Sequence, residues 1–205
     1  MNVKHILPVL SIAFVIVQFS CSSPDDGGMQ PGPTGPTVDE LIAQGWQAFE
    51  SGDFQTANSR FNEARQKDSG PVDIFTGLGW SFFRIDNLTQ ARNEFQAGSG
   101  KSDAPADLFA GWAFVLNALK DYRNSNAQAT RALSLDAAWG FSHGSGLNTD
   151  DLHVLKAENH FLLIEFSESL AEVQSLNPSF SADIKTTTGR QELAAEIERL
   201  KLAAQ

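Results

Sequence analysis

Cysteine occurs once, tyrosine once and methionine twice among the 205 residues of this chain. With Cys21 alone there is no internal disulfide for the fold to be built around and no Cys-rich zinc site. Basic residues are the scarcer charge, 15 Lys and Arg against 25 Asp and Glu, which argues against nucleic acid or an anionic membrane face as the main partner. Beyond position 37 proline is confined to Pro71, Pro105 and Pro178. No period-two apolar run survives in that same stretch, so sheet is not expected and the elements read as helices. Pro71 and Pro105 are each followed two residues later by an acid, Asp73 and Asp107, the pattern of a helix start. With 41% apolar residues the chain is able to bury a core, and its length suits one folded domain.

The one long apolar run lies at the N-terminus. Ile6 to Phe19 follows Lys4 and His5 and is short for a membrane-spanning helix; it has the build of a secretory signal. Residues 1–20 are therefore expected to be a leader, and Ser20-Cys21-Ser22-Ser23 behind it resembles the lipobox of bacterial lipoproteins. That resemblance implies a lipid on Cys21 and an exported protein of the cell envelope, anchored to the outer membrane facing the periplasm or at the cell surface. An ordinary cleaved signal leaving a free thiol is the other reading. Residues 21–37, rich in Pro, Gly and Asp, are unable to bury a core and are expected to form a flexible tether.

From residue 38 onward the chain repeats itself. Phe54, Leu88 and Tyr122 fall 34 residues apart (88 − 54 and 122 − 88), and the other landmarks keep the same phase. Leu41, Gly45, Ala48, Ala57, Phe61 and Ala64 correspond to Phe75, Gly79, Phe82, Ala91, Phe95 and Gly98, then to Phe109, Ala113, Leu116, Ser125, Ala129 and Ala132. Turns fall at Gly52-Asp53, Asp86-Asn87 and Lys120-Asp121, with Asp53, Asn87 and Asp121 as expected N-caps. Small residues recur where two helices cross closely, and large ones where the next pair must be filled.

A fourth unit fits after an insertion. Ala157, His160, Phe161, Ile164-Glu165-Phe166, Leu170 and Val173 match the template, with 44 residues from Tyr122 to Phe166 (166 − 122). The units span 38–71, 72–105, 106–135 and 150–178, with residues 136–149 as the insertion. Within 179–205, Leu193, Ile197 and Leu200 form one stripe of a terminal helix suited to cap the array.

This pattern over residues 38 to about 176 resembles the tetratricopeptide repeat family. The resemblance implies an all-α fold, an α-solenoid of three to four helix-turn-helix repeats with a C-terminal capping helix. It also implies a protein or peptide partner gripped by the concave face, which the first helix of each hairpin lines. Departures fall at Gln44, where the family prefers leucine, and at Ser125 and Ala129, where the third unit is under-filled.

On that face the residues expected to point inward are Trp46, Phe49, Trp80, Phe83, Phe114 and Phe161. Exposed, they form an aromatic row for an extended peptide or an apolar helix. Equally, bulky aromatics at this spacing fill core, with the groove plugged by the insertion or the C-terminal helix. Asp39, Asp73, Asp107 and Asp151 recur at one repeat position, either as an acidic rail for a basic ligand or as acids near helix starts.

Catalytic patterns fail on context. Gly140-Phe-Ser-His-Gly144 has the letters of a nucleophile elbow without the strand that elbow needs, and Gly98-Ser-Gly-Lys-Ser102 lacks the first glycine of a phosphate loop. His143, Asp151 and His153 are candidate metal ligands around the insertion, at no standard zinc spacing. The leading expectation is a membrane-anchored scaffold or adaptor, not an enzyme and without a cofactor. The rival is a small-molecule or metal-binding envelope lipoprotein using residues 139–151.

Overall fold

The turn between the first two helices shows how each repeat is made. Helix α1 (Val38–Glu50) ends with Gly52 at φ 83°. Gly52 N–H donates to Phe49 O and Asp53 N–H to Ala48 O, both at 2.9 Å, the paired bonds that satisfy the last carbonyls of a helix. Asp53 then serves the next helix, α2 (Phe54–Lys67), accepting from Thr56 N–H at 3.0 Å. One residue thus closes one helix and caps the next.

The same turn recurs at Asp86, Lys120 and Ile164, whose φ values are 60°, 62° and 65°. It joins α3 (Val72–Arg84) to α4 (Leu88–Gly98), α5 (Ala106–Ala118) to α6 (Tyr122–Leu135), and α7 (Thr149–Leu162) to α8 (Phe166–Leu176). Asn87 caps α4 through Gln90 N–H. Asp121 differs from expectation: it occupies the N-cap position of α6 but makes no side-chain cap bond, and its carboxylate accepts from the Asn124 side chain instead.

The computed structural model describes residues 35–203, and within them nine helices form, the last being α9 (Thr187–Ala203). The expected leader and Cys21 lie outside the described residues, as does all of the tether before residue 35. The end assigned to the tether is ordered: Thr37 caps α1 by accepting from Glu40 N–H, while Glu40 accepts from Thr37 N–H. No helix among the described residues is long and apolar enough to cross a membrane.

Hairpins stack because aromatic rings drop into gaps left by glycine. A Cβ on Gly45 would stand 2.7 Å from Phe61, and one on Gly79 2.5 Å from Phe95. A Cβ on Gly77 or Gly111, each from the following repeat, would run into the same two rings. Each ring therefore fills its own hairpin and the interface to the next. Successive first helices meet one another, α1 with α3, α3 with α5 and α5 with α7, whereas among α2, α4, α6 and α8 each meets only its neighbours in sequence or, for α8, α9. The first helices thus line the inner side of the curve.

At the third repeat the filling changes. Ala129 stands where Phe61 and Phe95 stood, and a polar joint replaces the ring: Asn159, fully buried, donates to Ser125 Oγ and Asn126 Oδ1 at 2.9 Å and accepts from Asn117 at 2.7 Å. Ser125 and Ser169, at one repeat position, donate to Ala113 O and Ala157 O, each at 2.8 Å. Helix α9 closes the array, with Leu193 and Ile197 buried against Ala157 and Val173.

Candidate binding groove

The insertion folds back. After Leu135 the chain makes a short hairpin in which Phe141 N–H donates to Leu147 O and Thr149 N–H to Trp139 O, both at 2.9 Å, with Gly144 and Gly146 at φ 79° and 73° supplying its tip. Extended backbone sends alternate side chains to opposite sides. Trp139 and Phe141 are buried and His143 half-buried, while Gly140, Ser142 and Gly144 are exposed. Three side chains two residues apart thus enter the inner face of α1, α3 and α5.

Each has a defined seat. The Trp139 indole N–H donates to the Asp107 carboxylate at 2.6 Å, and the Asp107 backbone carbonyl accepts from the Trp80 indole N–H at 3.0 Å. Phe141 lies among Trp80, Phe49 and Trp46, at centroid distances of 4.2, 5.9 and 6.3 Å. His143 stacks on Trp46 at 3.6 Å, and its Nδ1 is 2.9 Å from Glu50 Oε1. Burial pushes the Asp107 carboxyl above the ordinary aspartate range and nearby Asp73 adds to the rise, while hydrogen bonds from Trp139 and Ser142 and the proximity of His143 oppose it.

The aromatic row is therefore not open, which corrects the reading of it as an exposed stripe. Trp46, Phe49 and Trp80 are 9%, 3% and 1% exposed, because the loop's own rings cover them. Phe83 is half-buried beside Trp80. Phe161 packs toward α9 and on Phe166, at 5.2 Å between centroids. Phe114 lines an open cavity of about 310 Å³ with Asn117, Leu147, Asp151, Val154, Leu155, Glu158 and Lys201, and Phe161 lines a smaller one of about 180 Å³ against α9.

The acidic positions divide too. Asp39 and Asp73 are exposed; Asp107 holds the loop; Asp151 accepts from Asn148 N–H at 2.8 Å at the start of α7, where burial raises its carboxyl. The three candidate metal ligands have separate partners: His143 meets Glu50, Asp151 meets Asn148, and His153 lies 2.7 Å from Glu172. Among the described residues no group of three or more His, Cys, Asp or Glu is placed to hold a metal ion.

Sequence reasoning passed over Phe141, Glu50 and Asn159. The signal for Phe141 was present in the alternation Trp139-x-Phe141-x-His143, set among glycines. Glu50 and Asn159 carry no local signal, since their partners lie 93 and 33 to 42 residues away.

No family model matches the chain, and no curated protein matches it in sequence. Solved structures share its fold. A tetratricopeptide repeat protein from Parabacteroides merdae aligns over 82% of this chain at TM-score 0.58 and 13% identity; the match spans 61% of that protein's length. PilF of Pseudomonas aeruginosa aligns over 82% of this chain and 76% of its own at TM-score 0.60 and 12% identity. The MamA protein aligns over 82% and 89%, at TM-score 0.60 and 14% identity. The fold is the all-α solenoid of tetratricopeptide repeats.

Proposed function

We propose that this chain is a protein-interaction scaffold of the bacterial cell envelope, held at a membrane by a lipid on Cys21 and gripping a partner through the inner face of its solenoid. The observation that carries the binding role is the seating of residues 139–143. The groove of α1, α3 and α5 accepts an extended segment through alternate side chains, with aromatic seats at Trp46, Phe49 and Trp80. An extended segment turns every second side chain to one side, so a row of fixed seats on the groove reads alternate residues. The solenoid neighbours support a binding role over catalysis. The anchor rests on Ser20-Cys21-Ser22 behind the apolar run.

Two measurements test this. A photo-crosslinking residue at exposed Asp39 or Asp73, on the inner rim, should capture a discrete partner in native cells, whereas one at exposed Gln66 on α2 should not. Equal capture at both positions, or none at the rim, would count against groove binding. For the anchor, the chain should take up radiolabelled palmitate and fractionate with membranes, and Cys21→Ser should abolish both; label retained by that variant would remove the lipid assignment.

A further inference from the structure

The loop that fills the groove leaves open what fills it when a partner is bound. We propose that residues 139–143 are a displaceable plug, and that the segment replacing them is an extended stretch of a partner protein with the same chemistry: an aromatic, any residue, an aromatic, any residue, then a basic side chain. This deepens the scaffold reading and rests on it.

Four observations carry it. The plug enters by side chains at positions i, i+2 and i+4, while its intervening residues face solvent, the way a separate strand-like ligand enters a row of pockets. Stacking of the first three hairpins runs through Phe61 and Phe95 against glycines, and Trp139 and Phe141 of the plug join that core from the inner face. Its last seat combines an indole face and a carboxylate, Trp46 and Glu50 around His143, which suits a lysine, arginine or imidazolium better than a neutral group. Finally, exposed Asp39 and Asp73 extend the negative charge along the rim beyond Asp107, complementary to a basic segment from elsewhere.

The probe is a fluorescein-labelled peptide of residues 137–145 of this chain, titrated into the full chain and into two opened variants. One carries Phe141→Ser with His143→Ser; the other has residues 138–147 replaced by a Gly/Ser linker of equal length. A site closed most of the time loses apparent affinity by the fraction of time it is open, so opened variants should bind at least about tenfold tighter than the native chain. Adding Glu50→Gln should reverse most of that gain, and a peptide with its Trp, Phe and His changed to Ala should not bind.

Opened variants that keep their helical circular dichroism yet bind no better would overturn the proposal. Loss of helix in both variants would overturn it as well, since the loop would then be a fixed part of the core. A native dimer that the peptide dissociates would assign the groove to a second copy of this chain instead. Capture of a partner at Asp39 or Asp73 can succeed whichever way the peptide titration falls, so the two readings fail separately.

Discussion

The imidazole of His143 lies flat on the indole of Trp46, ring centroids 3.6 Å apart and planes 2° from parallel. It fixes the end of the insertion to the first helix of the solenoid, across three hairpins of sequence. Together with the Trp139 to Asp107 hydrogen bond, it clamps the loop at both ends of Phe141.

Trp139→Phe keeps an aromatic ring in the seat but removes the N–H and part of the buried surface, leaving the half-buried Asp107 carboxylate with only the longer Ser142 hydrogen bond. The expected loss is about 1–3 kcal/mol in urea unfolding. Asp107→Asn retains an acceptor and removes a charge that burial already disfavours, so it should cost less than the tryptophan change. Equal or reversed costs would mean that this bond does not hold the loop.

Stability should also fall in acid through Glu172. Burial opposes its charge, but His153 Nδ1 at 2.7 Å and Lys156 Nζ at 2.6 Å outweigh that and hold the carboxyl below the ordinary glutamate value of 4.5. The unfolded chain takes up the proton first as pH drops, so the contribution is present above 4.5 and lost below it. Glu172→Gln should lower stability at neutral pH and flatten the decline between pH 4.5 and the acid limit in a denaturation series. Asp107, raised rather than lowered, acts in the opposite sense: its contribution is present at low pH and lost as pH rises through its raised value, so Asp107→Asn separates the two.

Ile164 stands at φ 65° with 75% of its surface exposed. A β-branched residue is strained in that region, where Gly52 serves the first hairpin without strain. Ile164→Gly should raise stability by roughly 0.5–1 kcal/mol once the entropy of glycine in the unfolded chain is offset. No gain in melting temperature would mean that the side chain earns its place by contacts at the turn.

Gly77→Ala should destabilise by about 1–3 kcal/mol, because the added methyl group meets the Phe61 ring in a packed interface. The same variant carrying Phe61→Leu should recover part of the loss, a coupling readable by a double-mutant cycle. Asn159→Ala, which removes the partner of Asn117 and Asn126 and one of the two bonds of Ser125 at the polar joint, is expected to cost a comparable amount.

Much of the solenoid was legible in the chain because its rules are local. A glycine facing a phenylalanine sixteen residues on (Gly45 and Phe61, Gly79 and Phe95), and a turn residue that ends one helix and starts the next, are both visible within one repeat. The third repeat was legible as a unit under-filled at Ser125 and Ala129, but the Asn159 joint that replaces the ring was not, since it comes from the next hairpin. The groove was half legible. Its aromatics were identified, but whether a row of rings is a surface or a core depends on what lies over it.

By itself, then, the sequence determined the helical hairpins, their order and their turns, because spacing at 34 residues and capping chemistry act over distances the chain covers within a single repeat. Only the tertiary structure decided that the inner face is occupied. Burial of Trp46 and Trp80 is a property of a surface assembled from three helices, and the segment that covers it reaches Glu50 from 93 residues away.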